Sequence, residues 1–175
     1  MNKKITLFIM AIAFISTAMN AQTKMKEYKG GHVFNISLPD YMNKTAGLNT
    51  SASIQYKSEV KDVFGIVIVD TKEELGYIEL NYTSANDFYE DFIKDFLKDE
   101  EKRTVSKAVS KKMGDINFIE SDASYFDKEA NEEFYYLVGI VETKKAFYKV
   151  MSWTSKAKKD TFKGDFQKIL YSLKD

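Results

Sequence analysis

The sequence predicts a single α+β domain in which an antiparallel β-sheet of about six strands is sandwiched between helices. Three observations predict it. Four strand-like segments follow one another from Thr104 to Thr154, separated only by short polar turns, which is the layout of an antiparallel meander. Within Phe134–Val141 both alternating sets are mainly apolar, Phe134, Tyr136, Val138 and Ile140 on one side and Tyr135, Leu137 and Val141 on the other, so this strand needs cover on both faces. Two segments with apolar residues spaced by three and four supply helices for that cover.

Taken in order, VFNISLPD alternates Phe34, Ile36 and Leu38 with Asn35 and Ser37, a strand with one buried face that ends at Pro39. Asp40 to Ser51 has turn composition. Ser53–Ser58 and Val63–Asp70 are the next strands, and the second is almost wholly apolar, as a central strand would be. TKEEL places Thr71 and Glu74 at capping-box spacing and predicts a short helix. SANDFYEDFIKDFLKD repeats the pattern with Ser84 and Asp87, then sets Phe88, Tyr89, Phe92, Ile93 and Phe96 along one helical face opposite Asp87, Glu90, Asp91 and Asp95. Strands are expected over Thr104–Met113, Asn117–Phe126, Glu133–Thr143 and Ala146–Thr154. Phe162, Phe166, Ile169, Leu170 and Leu173 mark a closing helix, weakened by Gly164. The short N-terminal helical pieces are expected to complete the cover of the sheet.

Ahead of this domain, Lys3 and Lys4 precede an apolar run from Ile5 to about Ala18 and small or polar residues up to Ala21. This is the layout of a signal peptide cleaved near Ala21–Gln22, with residues 22–175 as the mature domain. The run is shorter than the roughly 20 residues a membrane span needs, and no later segment is long enough either. The 175 residues carry 26 basic and 26 acidic side chains; losing Lys3 and Lys4 leaves 24 against 26, which excludes a basic nucleic-acid footprint. The absence of cysteine removes disulfides, thiolate chemistry and cysteine-held metals, and suits a bacterial envelope better than a eukaryotic secretory route.

The residues for catalysis are correspondingly few. His32 is the one histidine, so a histidine-based metal site lacks its second ligand. The carboxylates of Glu90, Asp91 and Asp95 fall on the polar face of a helix, the place of a solvated surface. Asp127, Glu129, Asn131 and Glu133 alternate like calcium ligands but without the glycine such a loop uses, which favours a charged turn. No glycine cluster precedes a helix as a phosphate-binding loop does. Lys156, Lys158 and Lys159 gather near the start of the last helix. The aromatic side chains Tyr135, Tyr136, Phe147, Tyr148 and Trp153 concentrate in one hairpin, with Phe147, Met151 and Trp153 facing away from Tyr148 and Val150.

In this order of elements the chain resembles the PsbP-like family, whose α/β/α sandwich is shared with the Ran-binding Mog protein. The resemblance covers most of residues 30–175. It rests on FNISLPDYM, on VFGIVIVD leading through TKEEL into a helix, and on YYLVGIVETKKAFYKVMSWT running into a helix that ends ILYSLKD. Tyr41 stands two places after Pro39, where the family has an aromatic closer to the proline. The resemblance implies an accessory, assembly or binding role and supplies no catalytic residue.

The expectation is therefore an exported, soluble accessory or binding protein of the bacterial envelope, without a cofactor, whose partner is another envelope protein. Tyr135, Tyr148 and Trp153 are the candidate contacts, against a role for them in core packing. One alternative is a small apolar or sugar ligand in a pocket lined by those rings. Another is a hydrolase, which requires two acidic side chains converging in a cleft with one of them desolvated.

Overall fold

The computed structural model describes residues 23–31 and 33–175. The leader, residues 1–21, and His32 lie outside the described residues. The described residues open with a hairpin of β1 (Met25–Gly30) and β2 (Phe34–Pro39). The alternation along β2 buries Phe34, Ile36 and Leu38, as its period predicts. β1 has no such pattern; MKEYKG reads as polar, and its strand conformation comes from pairing with β2.

The strands β3 (Asn43–Thr45), β4 (Ile54–Ser58), β5 (Val63–Thr71), β6 (Glu101–Val105), β7 (Val109–Met113), β8 (Ile116–Asp127), β9 (Glu132–Glu142) and β10 (Ala146–Ser155) form the main sheet. Its order is β3-β4-β5-β10-β9-β8-β6, with β7 also on β8, and every pairing is antiparallel. Among the described residues the sheet thus has eight strands where about six are expected. One extra is β3, a short edge inside the segment of turn composition. The other arises because Thr104–Met113 is two strands, not one. At the break, Ser106 N–H donates to the Asp122 carbonyl at 2.8 Å and the Ser106 hydroxyl accepts from Asp122 N–H at 2.9 Å, so a side chain replaces one rung of the ladder.

Among the described residues the helices are α1 (Lys72–Tyr77), α2 (Ala85–Asp95) and α3 (Lys159–Tyr171), the last preceded by a 3-10 turn at Lys156–Lys158. One sheet face presents Tyr56, Val67, Tyr135, Leu137, Tyr148 and Val150 to α3 and to the β1–β2 hairpin. The other presents Ile119, Val138, Ile140 and Phe147 to Leu75 of α1 and to Phe88, Tyr89 and Ile93 of α2. Both alternating sets of β9 are therefore buried from Leu137 to Val141, as the composition demands, while Phe134 and Tyr136 stay half-buried. Part of the cover is strand: the β1–β2 hairpin joins α3 on one face, while the short helix expected at TKEEL covers the other through Leu75. On β9, Gly139 allows α3 close approach, since a Cβ there would run into Leu170.

Local capping fixes where α1 and α2 begin. Thr71 accepts from Glu74 N–H at 3.1 Å while Thr71 N–H donates back to the Glu74 carboxylate, a complete capping box. Ser84 accepts from Asp87 N–H at 3.2 Å, but the shorter Asp87 side chain accepts from Thr83 N–H at 3.1 Å, leaving that box half formed. The sheet supplies a further acceptor: Glu142 takes Ala85 N–H and Asn117 Nδ2 with one oxygen and Lys72 Nζ with the other. Burial opposes ionisation of Glu142, yet the Lys72 and Asn117 hydrogen bonds outweigh it and hold the carboxyl below its ordinary value.

Candidate functional site

α2 packs chiefly over β8 and β9, and the neighbouring floor of β10 and β5 is left partly open beside it. Antiparallel register places Trp153 opposite Phe64 on β5 and opposite Tyr136 on β9. All three side chains are half-buried. Their rings stack across the strands: Phe64 to Trp153 has centroids 5.7 Å apart at 20° between planes, and Trp153 to Tyr136 has 5.4 Å at 19°. Phe96 closes the row edge-on, 5.5 Å from Tyr136. Beside this ladder lies a hollow of about 310 Å³, bounded by Ile66, Ile68 and Met151 below and by Phe92, Phe96 and Leu48 at its sides.

Beyond Phe92 the groove continues as a second hollow of about 300 Å³ with a different lining. Its floor is an ion pair, Lys149 Nζ to Asp70 Oδ2 at 2.9 Å, with the lysine also 5.6 Å and 5.7 Å from the Phe88 and Phe92 ring centres. Asp91 and Asp95 of α2 and Leu80 and Tyr82 of the α1–α2 connection form its walls. Tyr82 donates to Asp91 at 2.7 Å; that hydrogen bond, with burial and the nearby carboxylates, pushes its phenol up to about 12. One groove thus has an aromatic end and an acidic end, joined at Phe92.

The three predicted contact residues are not brought together. Trp153 lies on the groove floor. Tyr148 projects to the opposite face at 1% exposure, edge-on to Phe34, and donates to Asp175 at 3.0 Å. Tyr135 shares that face, also at 1%, and donates to Asp122 at 2.9 Å. Burial raises both phenols, and their carboxylate partners raise them further. Tyr136, noted among the hairpin aromatics, and Phe64 and Phe96 are groove residues outside the candidate contacts. The tight turn between β9 and β10 sets Tyr136 opposite Trp153, a signal readable from hairpin register. Phe64 and Phe96 carry no such local signal.

The hydrolase alternative meets two adjacent carboxylates, Glu120 and Asp122, on the α3 face of β8. Both are tied to α3: Glu120 accepts from Gln167 and Tyr171, and Asp122 accepts from Lys159 and Lys163 at 2.8 Å each. Burial opposes ionisation of Asp122, but the lysine and tyrosine donors prevail and lower it, the reverse of what a general acid needs. The lysines near α3 are also engaged, Lys156 with Glu133, Lys158 with Asp62 and Lys159 with Asp122. In the Asp127–Glu133 turn, Asp127 accepts from Glu129 N–H and Ala130 N–H, so its carboxylate closes the turn. Among the described residues no three metal-ligating side chains converge, and no helix is long and apolar enough to cross a membrane.

An antiparallel sheet faced by α3 and a hairpin on one side and by α1 and α2 on the other defines an α+β layered domain. More particularly, the fold is PsbP-like. The chain superposes on the solution structure of cyanobacterial PsbP (CyanoP) from Synechocystis sp. PCC 6803 with a TM-score of 0.59 over 93% of this chain and 98% of that one, at 14% identity. It is similar also to LpqN of Mycobacterium tuberculosis, a protein involved in cell envelope biogenesis, with a TM-score of 0.53 over 87% of this chain and 90% of that one, at 9% identity. No family model and no curated protein sequence matches the chain. The likeness is one of fold, consistent with the resemblance seen in the sequence.

Proposed function

We propose that this protein is an exported accessory protein of the bacterial envelope that acts by binding another envelope protein, and that the groove beside α2 holds that partner. The observation that carries this is the ladder of Phe64, Trp153 and Tyr136, three stacked rings left half-buried on the sheet face beside α2. Large apolar surface kept partly exposed marks interaction sites, and Trp and Tyr are the residues that most often dominate binding energy. Export rests on Lys3, Lys4 and the apolar run that follows, with cleavage near Ala21–Gln22. The accessory role is supported by the PsbP-like fold, and no step of the proposed action requires a cofactor.

Native mass spectrometry of the protein purified gently from the envelope of its own host tests this, with Trp153→Ala in parallel. A co-purifying protein that is lost from the variant is the expected result. A retained small molecule lost from the variant would instead establish the ligand-binding alternative, for which a hollow of about 310 Å³ is at the small end of known sites. A bare chain in both preparations would overturn the proposal.

A further inference from the structure

The acidic end of the groove names the chemistry of what fits it. From Asp70 to Lys98 the chain carries eight acidic side chains and three basic ones, and this segment supplies α1, α2 and the connection between them. Within the hollow, Asp70 is matched by Lys149, whereas Asp91 and Asp95 are more than half exposed on the wall, with Lys94 and Lys98 as solvent-facing partners at 3.7 Å and 2.9 Å. Such exposed pairs hold little energy against a competing cation. Lys72 is engaged with Glu142 and does not offset the wall. The lip is apolar: Ile78 and Leu80, both lining the hollow, are 64% and 45% exposed.

Resting on the groove as the docking site, we propose that its occupant is a basic, apolar peptide segment, one in which Lys or Arg alternates with large apolar side chains. The apolar side chains lie on Ile66, Ile68, Met151 and the aromatic ladder. The cationic heads reach Asp91 and Asp95, their alkyl stems passing over Phe92 and Leu80. An arginine or lysine over the half-buried rings gains cation–π attraction as well. The same field repels an acidic segment of equal hydrophobicity, so charge provides selection that the aromatic end alone lacks.

Trp153 is the only tryptophan in the chain, so its emission reports the groove directly. The probes are the capped hexapeptide Lys-Leu-Lys-Phe-Lys-Leu and its counterparts with Gln or Glu in place of every Lys, titrated into the full mature protein. The expected result is binding of the Lys peptide about tenfold tighter than the Gln peptide at low ionic strength, and no binding of the Glu peptide. The preference should vanish in about 1 M salt, where the screening length falls to about 3 Å. It should also shrink in Asp91→Asn/Asp95→Asn, which leaves the sheet and ladder untouched. Equal binding of the Lys and Gln peptides would overturn the charge selection while leaving the groove as a docking site. If none of the peptides perturbs Trp153, the docking reading itself fails and the charge selection with it. A concentration-dependent emission shift without peptide would assign the groove to a second copy of this chain and overturn the proposal.

Discussion

Gly139 on β9 lies directly beneath Leu170 of α3, at a point where any Cβ would overlap the leucine side chain. Leu170 is itself 1% exposed, within the core between α3 and the sheet. The closeness of α3 to the sheet depends on this contact, and α3 in turn covers Glu120 and Asp122.

Gly139→Ala should therefore cost about 1–3 kcal/mol through overpacking, although alanine has ample strand compatibility. Leu170→Ala alone should cost about 2–5 kcal/mol by leaving a cavity. In the double variant part of the first cost disappears, because the added methyl occupies space the leucine vacated. Urea denaturation of the four proteins closes the cycle; strict additivity would show that the two residues do not compete for one space.

Glu142→Gln tests the pin between sheet and α2. The variant keeps a carbonyl acceptor but loses the charge that faces Lys72 and the α2 N-terminus, so it should destabilise the fold by about 1–3 kcal/mol. Amide exchange should rise first in the opening turn of α2, with α3 unaffected. Uniform loosening across both helices would place the role of Glu142 elsewhere.

Acid should weaken the fold in a defined window. Glu142, Asp122 and Asp165 are each held below the ordinary carboxyl value: burial works against ionisation, and hydrogen bonds from lysines and other donors, including Tyr41 and Thr23 at Asp165, more than compensate. A carboxyl depressed in the folded state protonates first in the unfolded chain. The stability it contributes is complete above the ordinary range near about 4 and drains away as pH falls through the lower folded values. Unfolding midpoints measured from neutrality down to acid should stay flat and then drop, and Glu142→Gln should make the drop shallower.

Trp153→Ala and Tyr148→Phe should separate binding from folding. Removing Trp153 takes away the middle ring of the ladder and should weaken partner binding by about 2 kcal/mol or more, in the range of a hot spot. Tyr148→Phe removes only the hydroxyl that donates to Asp175, costing about 1 kcal/mol of stability and leaving binding unchanged. Paired thermal-unfolding and binding measurements on both variants check this. A loss of binding in Tyr148→Phe would contradict the assignment of that ring to the core.

Much of the fold was legible because its information is local. The alternation along β2, the double apolar sets of β9, the Thr71–Glu74 box and the spacing of Phe88, Tyr89 and Ile93 are each written within a few residues, and each element lies where its pattern places it. β1 and β3 were not legible, since a polar strand gains its conformation from the partner it pairs with. The split between β6 and β7 depends on Ser106 meeting Asp122, a contact made across sixteen residues of chain.

Sequence alone determined that this chain builds a two-faced antiparallel sheet with helical cover and that its aromatic residues crowd into the β9–β10 hairpin, because period and composition are properties of short segments. It also set Trp153 on the opposite side of β10 from Tyr148, since side chains alternate along a strand. Only tertiary structure decided that Tyr148 and Tyr135 lie buried with carboxylate partners while Trp153 stacks between Phe64 and Tyr136 in an open groove. Which face of a sheet is sealed depends on where helices come to rest across several strands, and that position is fixed by contacts such as Leu170 on Gly139 and Ala85 on Glu142 that join residues far apart in the chain.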